Sequence, residues 1–312
     1  MNRGYVIVCQ NPETSIQPMQ RFTGILLIAI SAAAFGTLAI FGRFLYAEGL
    51  DTFTILFLRF GLAAVFMAVI LVARREKVPR GRILLQLVGM GALGYVGQSF
   101  SYLTAIQYAS AGLVALLLYL YPAFVFILSV FVLREQVTRL KIIALSLALA
   151  GTALTVDPAG GQLFGILLAI CAALIYSVYI IVGTHVMKHV SPVQSSVVIF
   201  VSAGLMFGIL GAINGLHLPG TATGWLGITG IVLVATVVPV VAFLAGLERI
   251  GPTNAAMLST LEPLVTVLLA GLIFGERLQP ITVLGGALIL AAVILLTRSE
   301  QKKPAREIPL LD

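Results

Sequence analysis

Residue 262 is a glutamate in the stretch STLEPLVTVLLAGLIF (residues 259–274), followed at once by a proline and otherwise set among apolar side chains. It lies about ten residues into its apolar run, roughly 15 Å along a helix that rises 1.5 Å per residue. A charged group that deep in a membrane costs at least about 2.5–3.5 kcal/mol on insertion scales. Three roles suit it. It could bind the α-amino group of a substrate, carry a proton in exchange for one, or sit neutral and hydrogen-bonded as structural glue. Arg59, inside an apolar run, and Arg43, near the end of another, are its candidate internal partners.

A second set of residues offers hydroxyls and an amide among aromatic rings. Tyr95, Gln98, Ser99 and Tyr102 recur at the i, i+3/4, i+7 spacing of one helical stripe. A polar stripe on a membrane helix faces protein or water. Tyr119 and Tyr121 form a further pair, Tyr176, Ser177 and Tyr179 a third group, and Ser259 and Thr260 precede Glu262. Together they suit a cavity for an amphipathic zwitterion or an aromatic solute. Taken singly, interhelical hydrogen bonds and tyrosines of the interface belt explain them equally well. Pro122, Pro239 and Pro263 fall inside apolar runs, where each removes a backbone hydrogen bond and tends to kink its helix. They are candidate hinges, against the alternative of tolerated kinks.

Other chemistry is poorly served. His185 and His189 are four residues apart, a spacing that could bind a metal, but no third ligand accompanies them. No paired acidic metal motif or Ser/His/Asp set falls at one membrane level, so no catalytic residue, metal or cofactor is expected. GMGALG (89–94) matches G-x-G-x-x-G, yet that fingerprint needs a preceding strand and a βαβ unit. Here its glycines serve close helix packing. The chain has no GxxxxGK[ST] loop for direct ATP coupling.

The elements that must hold these residues are membrane helices. Of 312 residues, 60% are apolar and 10% charged, with mean hydropathy +1.08, whereas soluble domains carry roughly 25% charged residues. Runs such as GILLIAISAAAFGTLAIFG (24–42) exceed the roughly 18 low-charge residues of a spanning helix. The apolar runs are continuous rather than alternating, which excludes a barrel. The expected fold is all-α integral membrane with ten transmembrane helices: 22–45, 52–73, 83–106, 110–133, 138–156, 163–184, 192–214, 225–247, 252–274 and 280–297. GYVIV is too short for a signal h-region, and the first span runs well beyond its alanines, so no cleaved leader is expected. Cys9 lies in a polar tail and Cys171 in an apolar run, so no disulfide is expected.

The net charge of +7 is distributed as an orientation signal rather than a nucleic-acid surface. With the N-terminus inside, one side collects Arg3, Arg21, Arg74, Arg75, Lys77, Arg80, Arg82, Arg134, Arg139, Lys141, Lys188, Arg249, Arg298, Lys302, Lys303 and Arg306; the other holds Arg43 and Arg277. Both termini are therefore expected in the cytoplasm, flanking a multi-pass protein of the inner (cytoplasmic) membrane. The basic run RREKVPRGR also offers contacts to lipid phosphates.

The chain repeats itself at an offset of 141. GILL at 24–27 returns at 165–168, and Leu120, Pro122 and Glu135 return as Leu261, Pro263 and Glu276. Leu147, Leu149, Ala150 and Leu154 return as Leu288, Leu290, Ala291 and Leu295. Each repeat holds five spans, an odd number, so the second inserts upside down relative to the first. The expected organisation is a tail at 1–21, a five-helix repeat at 22–156, its inverted partner at 163–297, and a tail at 298–312. Inverted repeats mark secondary transporters, with a substrate site near the midplane at the repeat interface.

LYLYPAFVFILSVFVLREQ and STLEPLVTVLLAGLIFGER resemble the (L/E)-P … GE stretch that ends each half of the EamA-type drug/metabolite transporters, and the likeness runs from Thr23 to Thr297. The overall pattern is most similar to the YddG-type bacterial exporters of aromatic and other amino acids. One departure is visible: Leu133-Arg134-Glu135 stands where the second half reads Phe274-Gly275-Glu276. The resemblance implies a centre formed by spans three, four, eight and nine, with one and six beside them. It also implies outward transport of small solutes, aromatic and other neutral amino acids first, by alternating access. A sugar-phosphate, nucleotide-sugar or drug carrier of the same superfamily is the alternative within the class, and an integral-membrane enzyme the alternative outside it.

Overall fold

In lipid a backbone has only itself for a partner, and helices satisfy it. The computed structural model describes residues 13–109, 111–155, 162–275 and 279–301, and among the described residues every regular element is helical. The first crossing is α1 (Glu13–Gly36) followed, after Thr37, by α2 (Leu38–Ala47). Next comes α3 (Thr52–Ala73), whose N-cap Asp51 accepts from the Thr54 backbone at 3.0 Å. α4 (Gly81–Gly89) passes through a π-helical segment, Met90–Tyr95, into α5 (Val96–Tyr108). α6 (Ala111–Leu118) and α7 (Tyr121–Leu133) form one crossing broken just before Pro122, and α8 (Arg139–Thr155) follows.

The second half opens with α9 (Leu163–Val186) and α10 (Pro192–Asn214), the latter started by a Ser191–Gln194 capping box with proline in its first turn. α11 (Ala222–Val232) passes through a second π-helical segment, Leu233–Val237, into α12 (Val238–Ile250). α13 (Pro252–Leu258) and α14 (Leu261–Phe274) are again one crossing broken just before a proline, Pro263, and α15 (Pro280–Gln301) ends the described chain. The departure at Arg134 has a backbone explanation. Arg134 (φ 54°) and Gly275 (φ 68°) both end their helices in the left-handed region, which glycine enters freely and arginine at a cost.

Among the described residues, eight helical stretches are long and apolar enough to cross a membrane: Met19–Ala47, Thr52–Ala73, Gly81–Tyr102, Leu113–Leu133, Leu163–Val186, Pro192–Asn214, Ala222–Ile250 and Pro252–Phe274. Of the ten expected spans, the fifth and tenth fall short of that length within the described residues, as the 17-residue α8 and the apolar stretch Pro280–Leu296. Cys9, Glu276, Arg277 and most of both tails lie outside the described residues.

Packing joins the two halves throughout. α3 packs on α10, α8 on α15, α1 on α12 and α14, and α9 on α5 and α7. Lipid supplies no hydrophobic drive between helices, so close backbone approach matters. Of the G-x-G-x-x-G glycines, Gly91 is needed most: a Cβ on it would overlap the Ile199 carbonyl and Ser202, one on Gly94 would crowd Tyr179, and one on Gly89 would meet open space, so close packing does not account for Gly89.

Candidate functional site

A cavity of about 690 Å³ enters the bundle at the end carrying the turn at 48–51. Its lining runs from the exposed Arg43 and Tyr46 at the mouth to Tyr121, only 2% exposed, at depth. At the mouth the Tyr46 hydroxyl meets Thr52 Oγ1 at 3.1 Å, and the Arg43 guanidinium lies 4.1 Å over the Phe274 ring. Rings form the floor. Tyr119, Tyr121, Tyr176, Tyr179, Tyr95 and Phe60 make a continuous series with successive centroids 6.4, 4.8, 5.9, 5.3 and 5.1 Å apart, the spacing of favourable edge and offset contacts.

Two helix breaks shape the polar part of the wall. Pro263 distorts the Pro252–Phe274 stretch, whose chain turns at Ser259–Thr260 and brings Glu262 to the first turn of α14. The Glu262 carboxylate accepts no hydrogen bond among the described residues and faces the cavity. On the Ala222–Ile250 stretch, Pro239 has no N–H for the Ala235 carbonyl four residues earlier. The chain widens there into the Leu233–Val237 π segment, and the Ala235 carbonyl accepts instead from Arg59 Nη2 at 3.3 Å. Arg59 Nε donates to Thr236 Oγ1 at 2.6 Å, and the guanidinium lies 4.9 Å from the Phe60 ring centre. Such π segments recur at functional sites. Arg59 and Glu262 both line the cavity and feel one another's charge, yet no ion pair within 4.0 Å joins them.

The opposite end of the bundle is shut. The Glu135 carboxylate accepts from Lys141 Nζ with one oxygen and from Thr253 Oγ1 with the other, tying the α7–α8 turn to the start of α13. Lys141 is 2% exposed, and Met257 and Leu258, in α13 between Thr253 and the turn before Glu262, are buried.

A blind cavity in an all-helical membrane bundle has the form of a solute site, and sequence likeness says which. The profile of the EamA-like transporter family matches residues 22–157 and again residues 163–298. The chain belongs to that family. A transporter of Archaeoglobus fulgidus, itself uncharacterized, is 32% identical over 271 residues, covering 87% of this chain and 95% of the relative. The uncharacterized inner membrane transporter YedA of Escherichia coli K12 is 24% identical, covering 80% of this chain and 83% of its own. One crystal structure, 21% identical, covers 92% of this chain and 98% of its own with a TM-score of 0.76, which shows the shared fold. The protein is thus a multi-pass membrane transporter.

In this transporter the residues singled out by type and spacing separate into two groups. Gln98, Ser99, Tyr102, Tyr119, Tyr121, Tyr176 and Glu262 line the cavity, as does Pro263. Tyr95, Ser177, Tyr179 and Ser259 stand behind that wall, and so do Pro122 and Pro239. The stripe therefore divides: Gln98, Ser99 and Tyr102 face the space, while Tyr95, the last residue of the first π segment, packs against Phe60 and Tyr179. Ser177 donates to the Tyr121 and Ala173 carbonyls, and Ser259 to that of Ala255, as interhelical or local glue.

The lining differs from the centre that the resemblance implies. α3 supplies Thr52, Ile55, Leu56 and Arg59, and the Ala222–Ile250 stretch only Ile231. Arg59 and Thr266 were absent from the set chosen by spacing. A lone cation within an apolar run was the signal for the first; Thr266, whose hydroxyl donates to the Gly36 and Glu262 carbonyls at 3.0 and 3.1 Å, carried none. The His185 and His189 rings lie 5.1 Å apart, tilted by 50°, at and just beyond the end of α9, and among the described residues no cluster of three metal-ligating side chains occurs.

Proposed function

We propose that this transporter is a secondary carrier of neutral, preferentially aromatic amino acids. It moves them outward across the cytoplasmic membrane by alternating access between two inverted five-helix halves, 22–156 and 163–297. The carrying observation is the blind cavity itself, which sets hydroxyls, an amide, a carboxylate and a guanidinium around an aromatic floor. That lining complements a zwitterion with an apolar side chain, in a pocket of the size that takes small ligands.

Several features support the two halves. The family profile matches twice, starting at residues 22 and 163, the 141-residue offset of the sequence repeat. Positions 233–236 of the second π segment are the repeat mates of 92–95 in the first, and the breaks before Pro122 and Pro263 coincide under the same offset. The contacts exchange as a two-fold axis in the membrane plane requires: α1 with α12 answers α9 with α5, and α1 with α14 answers α9 with α7. With the positively charged turns inside, the mouth at 48–51 faces outward and the Glu135 contact shuts the cytoplasmic end.

A second reading, a sugar-phosphate or other anion carrier, is favoured by the two guanidinium groups in the lining, Arg43 and Arg59. Glu262 in the same lining opposes a dianion. Initial uptake into proteoliposomes separates them, using labelled aromatic, aliphatic and basic amino acids and a sugar phosphate, with and without an imposed pH gradient. Saturable uptake of neutral amino acids is expected. Uptake of the sugar phosphate alone would select the second reading, and a gradient response lost in Glu262→Gln would make that residue the proton carrier.

A further inference from the structure

The pseudo-symmetry allows each cavity residue to be compared with its counterpart in the other half, and two comparisons stand out. Arg59 corresponds to Phe200 and Glu262 to Tyr121 under the 141-residue offset. The backbone settings agree: the helix bearing Phe200 packs on the first π segment as the helix bearing Arg59 packs on the second. Phe200 and Tyr121 are 0% and 2% exposed, so an aromatic ring builds each of these positions. The fold is made once with two rings and once with two opposite charges, and the charges carry a desolvation penalty that rings avoid.

If the charges served only each other they would be in contact, since an ion pair in a low-dielectric site needs good geometry to offset that penalty. They lie more than 4.0 Å apart in one cavity. Arg59 is anchored on its Nε and Nη2 side by Thr236 and Ala235, and its Nη1 makes no hydrogen bond among the described residues. The Glu262 carboxylate likewise accepts none. Both have hydrogen-bonding capacity to spare, and Arg59 is held in place by its two anchors.

We infer that Arg59 and Glu262 are the two ends of an α-amino-acid site, Arg59 taking the substrate carboxylate and Glu262 the ammonium, with the side chain laid on the tyrosine floor. This rests on the amino-acid reading above and on the two inverted halves. Arg43 differs from Arg59 in being exposed at the mouth and stacked on Phe274, which suits it to attract a solute rather than to hold one.

The test is competition against labelled phenylalanine uptake in proteoliposomes, using phenylalanine, 2-phenylethylamine and 3-phenylpropionate. These share a ring and differ in which charge is missing. Wild type should prefer phenylalanine over both by about ten- to hundred-fold, the range for a hydrogen bond to a charged group. For Arg59→Gln the preference over the amine should vanish and that over the acid remain; for Glu262→Gln the pattern should reverse. Arg59→Lys should recover part of the discrimination, which a purely structural arginine would not show. Equal weakening of all three competitors in both variants would overturn the pairing while leaving amino-acid transport standing. No phenylalanine uptake by wild type, with sugar phosphate carried instead, would overturn both.

Discussion

At the residue scale, the transporter is decided by a few groups that the fold does not need. Glu262→Gln keeps the size of the side chain and removes its charge. It should insert and purify as wild type while initial uptake falls at least about tenfold, the loss expected when a charge-assisted contact to solute disappears. Initial rates together with size-exclusion profiles check this, and wild-type flux would exclude both a substrate and a proton role. Glu262 was legible in the sequence because a carboxylate in an apolar run is conspicuous. Arg59 was equally conspicuous, but which way it faced was not: beyond the threonines of its first turn, α3 is apolar around its whole circumference apart from this residue, so periodicity assigns it no side. Tyr95 shows the opposite difficulty. It shares helical spacing with Gln98, Ser99 and Tyr102, yet it ends the Met90–Tyr95 π segment and packs against the ring series below the cavity.

At the scale of elements, prolines announce the breaks and nothing announces the π segments. Pro122 and Pro263 stand just after the interruptions between α6 and α7 and between α13 and α14, as their chemistry dictates. The widened turns at Met90–Tyr95 and Leu233–Val237 leave no mark in hydropathy, and only the second has a proline, Pro239, to account for it. Pro239→Ala would restore an N–H that competes with Arg59 for the Ala235 carbonyl. Melting temperature should hold or rise, because alanine suits a helix interior better. Phenylalanine affinity should drop several-fold as Arg59 loses an anchor. Unchanged affinity would separate the π segment from substrate binding. Gly91→Val is a packing test: overlap with the Ile199 carbonyl and Ser202 should cost about 1–3 kcal/mol, read as a lowered melting temperature. Pro263→Ala should slow turnover more than it weakens binding if the break between α13 and α14 works as a hinge.

At the scale of the whole molecule, under the alternating-access proposal, opening the end that carries Glu135 separates α13 from the α7–α8 turn, and the Thr253 hydroxyl on Glu135 is a polar contact that joins them across the halves. Lys141 and Glu135 belong to the same half and can stay together. Glu135→Gln should therefore shift the resting population toward the inward-open state. A cysteine placed at Met257, now 2% exposed, should then react several-fold faster with a membrane-permeant thiol reagent, in a background where Cys9 and Cys171 are serine. Unaltered labelling would remove Glu135 as a latch. The helical membrane class was plain from composition. The lengths of α8 and of the last crossing, and the contribution of the second crossing to the cavity, depend on how helices tilt and pack, which hydropathy does not record.

The most direct test is whether solute passes through this cavity. With both native cysteines replaced by serine, Ser99→Cys puts a thiol in the lining. A membrane-impermeant thiol reagent added from the mouth side should modify it, saturating phenylalanine should slow that reaction, and modification should abolish phenylalanine uptake. Full modification with undiminished uptake would contradict the assignment of the cavity as the transport path.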